Sequence, residues 1–259
     1  MADVLDVAEA AALRAGTCLK ERWGQVGLLK TKDGIRDVLT QADLDAEQHI
    51  IATIRDHFPD HHILTEETGQ LLGQRSNRTR WIIDPLDGTT NYLHQLPYCA
   101  VSVACEEEGE LVAAVVYAPL LDELFLAGRG AGATFNGSRI RTSAVRRLEE
   151  SLLATGFPCS SGIPLEPHVA VFARFLRKAQ GVRRPGAASL NLAYVACGRF
   201  DGFWGADLKP WDIAAGILLV REAGGMVSGY PRYRDESFPD QLIASNEHLH
   251  ELLTQVLDA

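Results

Sequence analysis

The chain has few cysteines, and their placement argues against two kinds of small, cross-linked protein. There are five in 259 residues, never arranged as Cys-x-x-Cys: Cys18, Cys99, Cys105, Cys159 and Cys197. A disulfide framework needs an even set, and a structural zinc site needs closely spaced ligands. The sequence therefore predicts neither, and we expect a cytoplasmic protein in a reducing compartment.

The chain also lacks long apolar runs and an excess of basic residues. No apolar stretch approaches the roughly 20 residues of a membrane span. The N-terminal sequence MADVLDVAEAAAL carries acids where a signal peptide carries basic residues. The formal net charge of −9 argues against a basic nucleic-acid surface. We expect no membrane and no nucleic-acid partner, and an anionic substrate would need metal ions to reverse the local potential.

What is present is the composition of an ordinary globular protein, with 46% apolar and 23% charged residues. Its patterns divide near residue 145. In the half 1–145, residues 3–22 have the spacing of an amphipathic helix, and residues 100–143 alternate as antiparallel strands. In the half 146–259, strand and helix patterns alternate. The sequence therefore predicts an α+β half followed by an α/β half.

Several local patterns sharpen this prediction. Thr40 and Asp43 form a capping box that opens a second helix, with Leu44 and Ile54 on its inward side. The polar segments 30–37 and 69–80 are expected to be surface loops. Gly128–Gly132 looks like a nucleotide-binding loop, but it lies between strands and is expected to be a turn. Asn136-Gly137 predicts a hairpin, and Asn246 is expected to cap the last helix.

The most informative stretch is Trp81–His94, which reads WIIDPLDGTTNYLH. A short apolar run typical of a buried strand ends at Asp84, and a turn follows that brings Asp87 close behind it. Two carboxylates this close repel each other unless a cation lies between them. Hard oxygen ligands suit Mg²⁺ better than Zn²⁺. The stretch predicts a magnesium site, and an ordinary surface turn is the alternative.

Other acids occupy comparable positions. Glu66 and Glu67 end a short strand at residues 63–65, and Asp212 begins an apolar helix. Each has a structural alternative: the two glutamates could end a strand at the surface, and Asp212 could simply favour the helix dipole. Asp43 could act only as the third residue of its capping box. The interpretation as a catalytic site therefore depends on the whole set.

The set resembles a known family. Trp81–His94 (WIIDPLDGTTNYLH), Leu64–Thr68 (LTEET) and Lys209–Gly216 (KPWDIAAG) together resemble the inositol monophosphatase family of Mg²⁺-dependent, Li⁺-sensitive phosphatases. The resemblance implies a layered αβαβα sandwich of the inositol monophosphatase and fructose-1,6-bisphosphatase type, and a homodimer. It also implies two or three Mg²⁺ ions and direct attack by water on a small phosphorylated polyol or sugar.

The resemblance assigns roles residue by residue. The implied metal ligands are Glu66, Asp84, the carbonyl of Leu86, Asp87 and Asp212, with Asp84 bridging two ions and a third ion on Glu66. The implied catalytic residues include Asp43 and Thr89, which activate water, and Glu67, which lies near the ion on Glu66. Lys32 and Asp37 are implied to lie on a loop that closes over the site. The implied substrate contacts are Asp87, Gly88, Thr89, Gly186, Ala187 and Ala188.

The substrate side departs from the family at one position. Inositol-preferring members carry a glutamate where this chain has Gly205, and Asp207 is the nearest candidate to replace it. Losing a charge-assisted hydrogen bond costs roughly 1.5–3 kcal/mol, enough to redirect preference. Inositol 1-phosphate remains the expected substrate, with fructose 1,6-bisphosphate, histidinol phosphate and adenosine 3′,5′-bisphosphate as alternatives. A regulatory binding protein is the alternative from another functional class.

Overall fold

The computed structural model of the chain describes residues 3–25, 27–32, 38–74, 78–230 and 238–259. Within them the α-helices are α1 (Val4–Arg22), α2 (Gln41–His57), α3 (Thr89–Leu93), α4 (Glu166–Leu176), α5 (Ala188–Ala196), α6 (Pro210–Glu222) and α7 (His250–Leu257). No helix in these ranges is long and apolar enough to cross a membrane. Asp37 and most of the loop expected at 30–37 lie outside the described residues.

The larger sheet has eight strands: β3 (His62–Thr65), β4 (Gly69–Leu71), β5 (Thr79–Asp87), β6 (Ala100–Glu107), β7 (Glu110–Ala118), β8 (Glu123–Gly128), β9 (Gly132–Phe135) and β10 (Ser138–Arg139). Their order is β10-β9-β8-β7-β6-β5-β3-β4. All neighbours are antiparallel except β3 and β5, which are parallel. Two short strands before α2, β1 (Leu28–Thr31) and β2 (Val38–Thr40), pair separately.

The smaller sheet has five strands: β11 (Leu152–Gly156), β12 (Gly181–Arg183), β13 (Gly202–Ala206), β14 (Met226–Gly229) and β15 (Gln241–Ser245). Their order is β12-β11-β13-β15-β14. The first three are parallel, and β15 is antiparallel to both of its neighbours. The two sheets therefore carry the antiparallel and the alternating patterns of the sequence, while the domain boundary near residue 145 stays a prediction.

Three apolar clusters hold five layers together. Helices α1 and α2 cover one face of the larger sheet, α5 and α6 fill the space between the sheets, and α4 and α7 cover the outer face of the smaller sheet. Helix α1 lies close to the sheet because small residues line its buried side; a Cβ on Gly16 would stand 2.3 Å from Tyr117 Cε1. The αβαβα sandwich implied by the resemblance is confirmed.

Four local predictions need correction. Part of the segment 69–80 is not a loop, because Gly69–Leu71 pairs with β3 as an edge strand and Thr79 already begins β5. A second edge strand, β14, was not predicted, because an edge needs little apolar alternation. Leu44 is only half-buried, and the inward side of α2 is formed by Ala46, Ile50 and Ile54.

The fourth correction concerns the last helix. Asn246 does not cap α7 itself, because the helix begins at His250. Its side-chain oxygen accepts the N–H groups of His248 and Leu249 at 3.0 and 2.9 Å, in the turn that precedes the helix. The Gly128–Gly132 turn and the Asn136-Gly137 hairpin are confirmed.

The contact between α5 and α6 makes a stability prediction. A Cβ on Gly216 would stand 2.4 Å from Leu192 Cβ, so we expect Gly216→Val to overpack the central layer and lower the free energy of unfolding by about 1–3 kcal/mol. Urea denaturation measures the change. Ala170→Val on exposed α4 is the control, since it adds the same side chain to a helix without a clash. Equal effects of the two substitutions would contradict close packing at Gly216.

Candidate active site

The acids of the predicted site meet where two parallel strands end. Thr65 pairs with Ile83, and the N–H of Glu66 donates to the Ile83 carbonyl at 3.3 Å, so Glu66 leaves β3 beside Asp84. The register of β5 shifts between Asp84 and Asp87, and this bulge turns the end of the strand. Asp84 and Asp87 are both buried. The buried strand that ends in two carboxylates is therefore present, and an exposed turn is excluded.

Helix α6 brings Asp212 to the same place from the second half of the chain. Ser102, which pairs with Asp84 across β5 and β6, donates through Oγ to the Trp211 carbonyl at 3.2 Å. Asp212 is the third residue of α6, and its Oδ2 accepts the Lys209 N–H at 2.7 Å. The hydrogen bond expected of a helix-opening acid is thus present, and it holds the carboxylate in the site.

The charges of these acids act on one another. Burial, followed by the negative charges of Glu66, Asp87 and Asp212, holds the pKa of Asp84 well above its usual range. Burial, followed by Asp87 and Glu66, does the same to the pKa of Asp212. Burial also raises the pKa of Asp87 to about 6, although hydrogen bonds from Ser189 oppose the shift. A buried like-charge group of this kind is stabilised by a cation.

The donor set fits Mg²⁺ in its chemistry. All the side-chain donors are carboxylate oxygens, the hard ligands that this ion prefers. Among the residues the structure describes, no group of three or more acidic, histidine or cysteine side chains is arranged so that it could hold a metal ion as it stands. In this arrangement the Lys32 ammonium supplies a countercharge, since it lies 2.7 Å from Glu66 Oε1 and 2.7 Å from Glu67 Oε1. The assignment of individual ligands stays a prediction.

At the edge of this group of acids, Lys32 and Glu67 shift each other's pKa. Burial alone would lower the pKa of Lys32, but the Glu66 and Glu67 carboxylates raise it above its usual range. Burial and the charge of Glu66 raise the pKa of Glu67 to about 7, against the effect of Lys32. The structure therefore brings the predicted loop residue Lys32 into contact with two of the predicted acids.

Asp43 and Thr89 form a second element of the site. Thr89 Oγ1 donates to Asp43 Oδ1 at 2.9 Å and also lies 3.0 Å from the Leu86 carbonyl oxygen. Asp43 is fully buried, and its other oxygen accepts the N–H and the hydroxyl of Thr40 at 2.8 and 2.6 Å. Burial raises the pKa of Asp43 to about 6, although these hydrogen bonds oppose the shift. The capping box of α2 therefore anchors a carboxylate that faces the β5 turn.

Gly88 and the segment 186–188 meet on the substrate side. Gly88 has φ +91°, and a Cβ there would stand 3.3 Å from Ala187 Cβ, so only glycine allows the close approach. Asn91 Nδ2 donates to the carbonyls of Tyr98 and Pro185 at 2.7 and 2.8 Å, which ties α3 to the same segment. The structure thus brings together the substrate contacts implied on β5 and on α5.

Asp207 lies farther along, and its carboxylate is engaged with protein groups. Oδ2 accepts the N–H groups of Cys159 and Ser160 at 3.2 and 2.8 Å. Oδ1 accepts Lys209 Nζ at 2.9 Å. The role of Asp207 as a substrate contact stays a prediction.

Two residues near the site were not predicted from the sequence. Ser189 donates through N–H and Oγ to Asp87 Oδ2 at 2.7 and 2.6 Å, and the start of α5 is the signal that could have indicated it. Glu47 is buried beneath residues 65–68. Its spacing of four residues from Asp43 on α2 is a signal, because it puts both acids on one helix face.

Glu47 accepts hydrogen bonds from the whole turn that carries Glu66. Its Oε2 accepts Thr65 Oγ1 at 2.6 Å, the Glu67 N–H at 3.0 Å and the Thr68 N–H at 3.3 Å. Its Oε1 accepts the Thr68 hydroxyl. Thr65 therefore supplies one of the donors that fix this turn.

The whole chain matches the model of the inositol monophosphatase family, over residues 1–259. The Nus factor SuhB of Escherichia coli strain K12 is 42% identical over 247 residues, which are 95% of this chain and 92% of that protein. The inositol-1-monophosphatase of Synechocystis is 42% identical over 255 residues, 98% of this chain and 88% of that protein. The crystal structure of the extragenic suppressor protein suhB from Bartonella henselae superposes with a TM-score of 0.92 at 43% identity, covering 98% of both chains.

The Glu47 contacts generate a stability prediction. Glu47→Gln replaces one acceptor oxygen by an amide that cannot accept, which leaves buried donors of the turn unpaired. We expect a loss of about 1–3 kcal/mol in the free energy of unfolding, measured by urea denaturation. Glu21→Gln, at an exposed position on α1, is the control and should change stability by less than about 0.5 kcal/mol. A Glu47→Gln protein as stable as the control would contradict this role.

Proposed function

Since the chain belongs to the inositol monophosphatase family and is a metal-dependent phosphoric monoester hydrolase, we propose that it uses Mg²⁺ to hydrolyse a small phosphate monoester by direct attack of water. One observation carries the choice of cation. Glu66, Asp84, Asp87 and Asp212 are gathered by β3, β5 and α6, and burial, followed by the charges of the neighbouring acids, raises the pKa values of Asp84 and Asp212. Carboxylate oxygens are the ligands that hard divalent cations such as Mg²⁺ take in proteins.

The proposed ligands of Mg²⁺ are Glu66, Asp84, the Leu86 carbonyl, Asp87 and Asp212, with two or three ions bound. When bound, Mg²⁺ supplies positive charge that stabilises the charge developing on the phosphate oxygens. In the proposal the chain's own residues orient water. Thr89 Oγ1 donates to Asp43 Oδ1, so its oxygen can accept a proton from a water molecule while the hydroxyl's own proton passes to the Asp43 carboxylate.

The protonation of a nearby thiol, Cys99, also supports direct attack by water. Burial, followed by the charge of Asp87, raises the pKa of Cys99 to about 12, so this side chain is not a thiolate at neutral pH. In the proposal, Lys32 and Glu67 act at the rim of the site, and Asp87, Gly88 and Thr89 contact the phosphate. Gly186, Ala187 and Ala188 face the leaving group.

We expect Asp87→Asn to lower kcat by about 100-fold or more, because the amide weakens the electrostatic stabilisation of the transition state. The fold should be retained, since the Asn carbonyl can still accept from Ser189. Phosphate release with saturating Mg²⁺ measures the first effect, and thermal unfolding measures the second. Chelation of divalent ions should abolish turnover of the wild type. Wild-type activity in Asp87→Asn, or in the chelated enzyme, would overturn the proposed site.

Inositol 1-phosphate is the proposed substrate, because the Synechocystis relative is named an inositol-1-monophosphatase. Gly205 removes an acid that inositol-preferring members use, so other phosphates compete. We therefore propose a screen of inositol 1-phosphate, fructose 1,6-bisphosphate, histidinol phosphate and adenosine 3′,5′-bisphosphate, each with Mg²⁺ and with and without Li⁺. The highest kcat/KM is expected for inositol 1-phosphate, and a tenfold preference for another compound would reassign the substrate.

A second function is suggested by the Escherichia coli relative, which is named a Nus factor. A regulatory contact with a protein partner does not need turnover. Asp87→Asn would therefore separate the two functions, since a binding role would survive the substitution whereas catalysis would not. We also propose a homodimer, as the resemblance implies. One chain has a mass of 28.3 kDa, and light scattering at micromolar concentration should give twice that mass.

A further inference from the structure

Asp207 has a strained backbone, and both of its carboxylate oxygens accept hydrogen bonds from protein groups. Its φ is +61°, in the left-handed region that favours glycine, so the residue costs conformational energy. Its side chain is only 7% exposed, yet it carries the three hydrogen bonds described above, two of them from consecutive N–H groups, Cys159 and Ser160. A non-glycine residue kept at this cost is expected to do something that glycine cannot.

The carboxylate holds a loop that leaves the end of β11. Residues 157–160 begin directly after β11, whose last residue Gly156 pairs with Gly205 on the parallel strand β13. In α/β sheets, ligands bind beyond the carboxyl ends of parallel strands. The held loop therefore starts at the end of the smaller sheet where a substrate is expected.

The other end of this loop reaches the second substrate segment. Phe157 packs edge-on against Phe172 at 5.7 Å between ring centroids, and the Arg184 guanidinium lies 5.9 Å from the Phe157 ring. Arg184 precedes Gly186 by two residues. The loop 157–160 is thus fastened near Gly186 at one end and at Asp207 at the other, so it runs from the segment proposed to face the leaving group to the turn that follows β13.

Gly205, where inositol-preferring members carry a glutamate, has apolar surroundings. A Cβ on Gly205 would stand 2.9 Å from Phe203 Cζ and 3.1 Å from Leu208 Cδ1. No side chain from β13 at this position offers a carboxylate to ring hydroxyls, and the carboxylate two residues on is turned to the loop.

Lys209 connects the loop to the metal side of the site. Its ammonium group pairs with Asp207 Oδ1 at 2.9 Å, and its N–H donates to Asp212 Oδ2 at 2.7 Å. One residue therefore fixes both the carboxylate that holds the loop and a carboxylate proposed to bind Mg²⁺. The contact with Asp212 is made by the backbone N–H of Lys209 and does not depend on the ammonium group that pairs with Asp207.

We propose that Asp207 is a positioning residue that sets substrate preference by clamping the loop 157–160 beside Gly205, without itself touching the substrate. The inference rests on the proposed phosphatase function. Larger leaving groups, such as inositol or a sugar, reach the clamped loop, whereas a minimal phosphate ester occupies only the metal side. The clamp therefore acts on binding of the leaving group and leaves the chemical step unchanged.

The test is Asp207→Gly, which removes the carboxylate and suits the left-handed backbone. We expect KM for inositol 1-phosphate, or for the compound of the screen that the wild type turns over fastest, to rise at least tenfold. The kcat for that compound, and kcat/KM for methyl phosphate, should stay within about threefold. Hydrogen–deuterium exchange of the peptide that spans residues 157–164 should accelerate. Asp122→Gly is the matched control, because Asp122 has φ +53° and is 81% exposed on a turn of the other half.

The outcomes separate the alternatives. If Asp207→Gly exchanges no faster than the wild type at 157–164, Asp207 is only a turn residue and the clamp is wrong. If exchange accelerates while KM for the larger substrate is unchanged, the loop is not part of the substrate end and the proposal is also wrong. If the wild type hydrolyses none of the compounds, the proposed function fails, and the role in substrate choice fails with it.

Discussion

The rest of this structure depends on one constraint: several carboxylates are buried close enough together for their negative charges to repel one another. An unpaired buried charge costs several kcal/mol, and like charges add to that cost. The fold meets this cost with hydrogen bonds from rigid elements: Asp84 accepts the Leu86 N–H at 3.0 Å, and Asp87 and Asp212 accept groups at the starts of α5 and α6. The proposed Mg²⁺ would offset the part of this cost that the hydrogen bonds do not cover. The five-layer architecture is what delivers acids from both halves of the chain to one place.

The parts of this arrangement that could be predicted are those encoded in short, contiguous patterns. The strand that ends at Asp84 and Asp87, the Thr40–Asp43 capping box and the hairpin at Asn136-Gly137 each depend on a few neighbouring residues, and each is present. The family resemblance added the layered fold, which local patterns alone could not supply because α5 and α6 pack between two sheets formed by distant segments.

What could not be predicted depends on contacts between distant segments. Glu47 lies in a helix and Thr68 in a turn; the spacing of Glu47 from Asp43 indicates which face of α2 it occupies, but not that its carboxylate joins the distant turn at Thr68. The edge strands β4 and β14 were missed because an edge needs neither alternation nor burial to pair. The prediction of a substrate contact at Asp207 came from its position two residues after Gly205. Its left-handed backbone just beyond the end of β13, and its hydrogen bonds from the N–H groups of Cys159 and Ser160, 48 and 47 residues away, could not be predicted from that position.

Asp43 and Asp212 show why the structural and functional interpretations of an acid need not compete. Each is the third residue of its helix, and each accepts the N–H of the residue that precedes the helix, at 2.8 and 2.7 Å. That hydrogen bond would stabilise a helix in any protein. It also fixes the carboxylate against rotation and, because the helix dipole favours negative charge at this end, helps to keep it ionised. A helix N-terminus therefore reduces the cost of burying an acid, and the site is assembled from two such places and the ends of two strands.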